Sequence, residues 1–178
     1  MDSITLLRQQ LRDTHGLLEE TMADVSPEQT HWLPPGTANP LGATYAHAII
    51  TEDMFINGIL KGTAPMSALP EWAGQTGISE PMPRPGPEWE NYGPWAHRVQ
   101  VDLAALRQYA QAVYASSDQY LASLTPEDLD RSIDMGQGEL EQHTLAWFLS
   151  MFVIVHAANI CGEISCLKGL QGARGYPF

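Results

Sequence analysis

Positive charge is scarce in this chain. Nine lysines and arginines stand against twenty-one aspartates and glutamates, a formal net charge of −12 over 178 residues. Such a surface repels phosphate backbones and anionic lipid, which disfavours binding to nucleic acid or to a membrane surface. Cysteine is scarcer still, with Cys161 and Cys166 alone. Five residues apart on a helix, they project roughly 140° apart around its axis and cannot pair within it. A reducing, cytoplasmic setting follows. No Cys-pair zinc motif is present, no glycine-rich phosphate loop follows a strand, and no strand pattern runs beyond a few residues. The N-terminal MDSITLLRQQLRDTHG lacks the apolar core of a signal peptide.

One segment lacks formal charge altogether. TLAWFLSMFVIVHAANICG, residues 144–162, approaches the length of a membrane span. Ser150, His156 and Asn159 interrupt it and no second segment resembles it, so it reads as the central helix of a soluble bundle.

Helical periodicity fills most of the remainder. Ile4, Leu7, Leu11, Leu18 and Met22 mark a first helix over 3–23, widened by Leu6 and Leu17. SPEQ then places Ser26 as a cap, Pro27 at the first helical position and Gln29 to close a capping box, predicting a turn over 27–31. A second long helix starts at Asn39-Pro40, with Asn39 as its cap, and runs to Lys61 before Gly62. Its apolar surface is Tyr45, Ile49, Phe55, Ile56, Ile59 and Leu60. Residues 63–93, interrupted by six prolines, exclude a continuous helix and read as a crossover along the bundle. A third helix is expected from Pro94 to Leu124, with Val99, Leu103, Leu106, Val113, Tyr114 and Leu121 inward. TPED, 125–128, repeats the capping logic. A glycine-containing stretch from Asp134 to Gly138 leads to a last helix over 144–168, capped by Thr144 and ended by Gly169. The expected fold is all-α: one domain over 1–178, a four-helix bundle in up-down-down-up order with its long crossover between helices two and three. The tail, 170–178, holds Leu170, Tyr176 and Phe178 among glycines and must pack on its own bundle or on a second copy, which points to a homodimer.

The chemistry-bearing residues lie on the second and last helices. With His156 at zero on a helical wheel, Asn159, Ile160 and Glu163 all project within about 60° of it. Metal sites on bundle helices use two ligands three or four residues apart, with a third from a facing helix. His47 on the second helix supplies that third group, whereas Ile160 stands where the second histidine of an HxxxH pair belongs. Asn159 reads as a buried amide. Glu163 reads equally as a carboxylate beside or on a metal and as a partner for the tail. Glu52 and Asp53 read as a solvated face, with one of them within reach of the central cavity, and His15, His31, His97 and His143 as surface or loop residues. Cys161, Cys166, Trp147 and Met151 read as core.

TYAHAIITEDMF around His47, the long second connection and the tail HAANICGEISCLKGLQGARGYPF together resemble the DinB/YfiT-like superfamily of helical bundles, which is unrelated to the polymerase sharing the DinB name. Members of that group carry HxxxH ahead of G-[QE]-I. Here Gly162-Glu163-Ile164 matches, His156 matches the first histidine, and Ile160 replaces the second. The resemblance implies a three-histidine divalent metal site, of zinc or nickel type, assisting a low-molecular-weight thiol such as mycothiol, bacillithiol or glutathione in S-transfer or isomerisation. By that reading His47 and His156 are metal ligands, with Glu163 or Asn159 near the metal. The competing reading is a non-catalytic bundle that binds a small molecule or serves structurally, its metal site lost with the ligand position at Ile160.

Overall fold

The structure is a computed structural model and describes residues 2–133 and 143–178. The stretch from Asp134 to Gly138 lies outside the described residues. Helix α1 spans Ser3–Met22, with the Asp2 side chain accepting from the Thr5 N–H at 2.8 Å. Helix α2, Pro27–His31, carries the full reciprocal capping box between Ser26 and Gln29. Helix α3 spans Leu41–Asp53, but Pro40 rather than Asn39 holds the cap position and no side chain caps it. Thr44 instead donates both its N–H and its hydroxyl to the Pro40 carbonyl. The helix then widens into a π-helix, Met54–Leu60, and turns out at Gly62, whose φ of 65° is favourable for glycine.

The crossover is built from three short 3₁₀ turns, Met66–Ala68, Pro70–Trp72 and Trp89–Asn91. Asp53 anchors it. That carboxylate is completely buried and accepts from the N–H groups of Met66 and Ser67, from Asn57 Nδ2 and from the Tyr109 hydroxyl. The solvated-face expectation for Glu52 and Asp53 is therefore overturned. Both are buried because the crossover, α1 and α5 supply donors that no local pattern reveals.

The expected third helix is two helices, α4 (Tyr92–Ala96) and α5 (Leu103–Ser123). Between them Val101 forms a β-bridge with Ile78, and Asp102 restarts the helix by accepting from the N–H groups of Ala104 and Ala105. Gly77, with φ 77°, makes this possible. A Cβ there would stand 2.3 Å from the Leu106 nitrogen, so only glycine lets the crossover lie on the first turn of α5. The TPED capping box opens a 3₁₀ turn, Pro126–Asp130. Strands β1 (Ser132–Ile133) and β2 (His143–Thr144) then pair antiparallel.

Thr144 caps the last helical run at Trp147 N. This run is α6 (Leu145–Phe148), a π-helix (Leu149–Val155) and α7 (His156–Leu170). It ends at Gln171–Gly172 rather than at Gly169, Gly172 taking a φ of 76°. By length and composition Leu145–Leu170 could cross a membrane; here α7 packs against α1 and α3. The π-helix also shifts which residues face inward. Phe148, Leu149 and Val153 are buried, while Met151, expected in the core, is 44% exposed and Trp147 is half-buried. Cys161 is buried but Cys166 is exposed. The tail folds back along α7, with Gly175 against Ser165 and the Tyr176 hydroxyl over Gly162.

Among the described residues the architecture is mostly helical, with one two-stranded pair. Helices α1 and α3 each pack against both α5 and α7. Apolar side chains form two clusters along these helices. One holds Leu18, Met22, Tyr45, Ile49, Leu106, Tyr109, Ile160 and Ile164, and the other Leu7, Leu11, Phe55, Ile56, Leu121, Phe148 and Val153. At the level where three of these helices meet, a polar layer gathers His15 from α1, Glu52 from α3 and Ser117 from α5. Glu52 accepts from His15 Nε2 at 2.8 Å and from Ser117 Oγ at 2.6 Å. A buried carboxylate requires such donors, so the layer joins three helices at one point.

Candidate functional site

His156 is the first residue of α7, directly after the π-helix. π-Segments inside α-helices recur at functional sites because they offset side chains by a residue. His47 lies midway along α3. The structure brings the two together, with their Nε2 atoms 3.2 Å apart and their rings nearly perpendicular. Thr51 Oγ1 and Met82 Sδ each lie 3.4 Å from His47 Nδ1. A threonine hydroxyl donating to Nδ1 leaves the Nε2 proton of His47 for His156, which gives both rings a neutral state.

The walls come from the crossover. Tyr92 and Trp89 stack on each other and lie 5.1 and 5.8 Å from the His47 ring. Burial, and then the neighbouring His156, pulls the His47 pKa down to about 4. Burial lowers His156 as well, with the charge of Glu52 opposing the shift. The pair is thus held neutral.

Ile160 is 3% exposed and belongs to the apolar cluster. Glu163 lies at the exposed rim, where partial burial raises its pKa and its charge adds to the burial that raises the Tyr92 phenol. Asn159 is exposed and makes no side-chain hydrogen bond among the described residues, which corrects its reading as a buried amide. It lies on the solvent side of the helix, where no neighbouring helix offers a partner.

Two imidazole nitrogens on one tetrahedral zinc, each bonded at about 2.0–2.1 Å, stand about 3.3 Å apart. The His47–His156 spacing matches that edge. No third donor completes it: among the described residues no group of three His, Cys, Asp or Glu has metal-holding geometry. The residues fit two corners of a metal site, and Ile160, one turn further along α7, is buried in the apolar cluster.

His15 is not a surface residue. It is 7% exposed, bonded to Glu52 and stacked on Tyr114 at 3.7 Å. The signal lay in the apolar stripes themselves. His15 falls on the Leu11, Leu18, Met22 stripe and Glu52 on the Tyr45, Ile49, Ile56 stripe, three or four residues from each neighbour. The outcome for the other histidines is mixed. His31 takes the Val101 N–H on Nε2, and exposed His97 meets the Ala38 carbonyl.

The low His47 pKa has a stability consequence. A histidine whose folded pKa lies below its unfolded value stabilises fully above about pH 6.5, and that stability falls as pH drops towards about 4, where the folded ring also protonates. Chelator-treated protein should lose up to about 3 kcal/mol from His47 across this window. Urea unfolding at pH 7.5 and pH 5 checks the sign, and His47→Gln should flatten the difference. Equal flattening by His97→Gln would assign it elsewhere.

The sequence profile of the DinB superfamily matches residues 10–159, which takes in His47 and His156 and stops short of Ile160 and Glu163. A crystal structure from Enterococcus faecalis, titled as a conserved protein, is similar in fold, with a TM-score of 0.80 and 21% identity over 96% of this chain and 97% of that one. No curated protein matches the chain. With five-sixths of its length under one family's profile and the helical fold to go with it, the chain belongs to the DinB superfamily.

Proposed function

We propose that this chain is a metal-dependent member of the superfamily, an up-down-down-up four-helix bundle in which His47 and His156 hold a divalent zinc or nickel ion weakly. The remaining coordination positions are open to a small-molecule thiol, and the reaction is S-transfer or isomerisation. The observation that carries this reading is the 3.2 Å between the two Nε2 atoms. Their depressed basicity supports it, because a ligating imidazole must be unprotonated and no proton has to leave this pair at neutral pH. A bound divalent ion would lower the pKa of a thiol, giving thiolate at neutral pH. Thr51 orients the His47 ring, while Met82, Trp89 and Tyr92 offer an apolar, polarisable wall suited to a sulfur-bearing ligand. Glu163 is placed at the rim to meet a polar end of the substrate.

A second reading rests on Ile160. Its burial favours a non-catalytic bundle that uses the same aromatic wall to bind a small molecule without metal. Zinc titration by calorimetry of metal-stripped protein carrying no histidine tag separates the two. Weak one-to-one binding is expected, abolished by His47→Ala or by His156→Ala and unaffected by His97→Ala. Absence of zinc binding to wild type removes the metal-dependent reading and leaves the second.

A further inference from the structure

Large aromatic residues recur at every third position over Trp89, Tyr92 and Trp95. Trp89 opens the 3₁₀ turn Trp89–Asn91, in which residues three apart eclipse. Its indole therefore lies flat on the Tyr92 ring, with centroids 4.6 Å apart and planes 8° from parallel. Across α4 the offset grows, and Tyr92 and Trp95 stand 5.6 Å apart at 29°. The inner end of this ladder is fixed. Trp95 is fully buried, and its Nε1–H donates to the Glu80 carbonyl at 3.2 Å. The outer end is open. Trp89 is 40% exposed, one of its faces is taken by Tyr92, and the only other ring near it among the described residues is the tilted imidazole of His47. Tryptophan is on average a highly buried residue, so an indole facing water beside the histidine pair is unusual.

The segment ahead of Trp89 leaves that ring free to adjust. PMPRPGP, 81–87, has proline at every second position, which removes alternate N–H donors. Among the described residues, the hydrogen bonds of 81–88 reach no further than Asn91: Arg84 N–H donates to the Glu88 carboxylate, and the carbonyls of Gly86 and Glu88 accept from Trp89 and Asn91. This strap is tied to the bundle by side-chain packing, chiefly of Met82 and Tyr92 on the apolar cluster. Trp89 can thus shift to admit a further ring without the loss of any hydrogen bond to the bundle.

We propose that the outer face of Trp89 binds a flat aromatic ring as the fourth member of this stack, so that the ligand of the histidine pair carries an aryl group. The inference rests on the reading that the pair marks the ligand site, and it names the chemical class of that ligand. An aromatic ring on an indole face gains a stacking contribution beyond its burial, which an aliphatic ring of the same size lacks. The three rings are aligned before the ligand arrives, which lowers the ordering cost of binding. His47 stands beside both Trp89 and Tyr92, so a ring on Trp89 lies one stacking distance further along the same wall.

2-Naphthalenemethanol is the probe, with its saturated counterpart, decahydro-2-naphthalenemethanol, as the control, both followed by NMR titration of the metal-stripped full chain. Saturable binding of the naphthyl probe is expected, with its ring protons shifted upfield, contacts to the Trp89 indole and a change in the His47 imidazole signals. Trp89→Leu keeps apolar bulk without a ring and should weaken binding about fivefold, while Trp89→Phe should retain most of it. The saturated alcohol should bind wild type about fivefold more weakly and be indifferent to Trp89→Leu. Equal binding of the saturated alcohol, undiminished binding to Trp89→Leu, contacts at Trp32 or Trp147 instead, or unchanged His47 signals would overturn the proposal. The wild-type contacts decide the matter even if a variant fails to fold. Zinc is absent from every arm. Naphthyl binding at Trp89 without zinc binding in the calorimetry would leave this site standing and remove the metal-dependent reading, and zinc binding without naphthyl binding would do the reverse.

Discussion

Asp53→Ala should cost about 3–5 kcal/mol of folding stability, the largest loss expected from any single polar side chain here. The carboxylate is fully buried and gathers four donors from three places: the next turn of its own helical run, two backbone N–H groups of the crossover, and α5. Alanine leaves all four donors without their acceptor, and each buried group left unpaired carries its desolvation cost. Asp53→Asn retains one acceptor oxygen and should fall between the two. Urea unfolding reports the loss as a lower midpoint at unchanged slope. Asp118→Ala makes the contrast, because its pairs with Arg8 and Arg12 are a third to a half exposed and contribute at most about 1 kcal/mol. A loss for Asp53→Ala no larger than that of Asp118→Ala would show that Asp53 does not anchor the crossover.

Ile160→His should have two opposite effects on the same protein. Without metal the variant should be less stable than wild type, because an imidazole replaces a branched aliphatic that is 3% exposed within an apolar cluster. With zinc the order should change. Residues 156 and 160 lie one turn apart in α7, so the substitution builds an HxxxH pair beside His47. At a hundredfold excess of zinc over its dissociation constant, linkage raises stability by about 2.7 kcal/mol. Thermal unfolding with chelator and with zinc reads both effects at once. If zinc raises the melting temperature no more in the variant than in wild type, Ile160 does not occupy a ligand position.

What the sequence disclosed about this fold was whatever is encoded locally. The SPEQ and TPED boxes cap their turns because cap and partner are three residues apart. The helical character of α1, α3 and the last run follows from stripes that any window of the chain contains. The break at 97–102 was hidden because it depends on Gly77 and Ile78, more than twenty residues earlier, lying against the start of α5. Asp53 and Glu52 looked solvated because their donors arrive from α1, α5 and the crossover, up to 65 residues away in sequence. His47 and His156 could be named as a pair from spacing and resemblance, but their aromatic wall could not. Nothing near His47 in sequence points to Trp89 or Tyr92.

The π-helix before His156 has a consequence for how this chain compares with others. A π-segment carries an extra residue relative to an α-helix, so the two ends of the last helical run turn out of step with each other. Deleting one residue between Leu149 and Val155 could restore regular α-helix without removing a single side chain of the histidine pair. The half around Phe148 would then rotate relative to the half that carries His156. Homologues on either side of such a deletion would align cleanly from His156 onwards and drift by one position before it. The inward positions of Phe148 and Leu149 are therefore free to diverge while the histidine keeps its place.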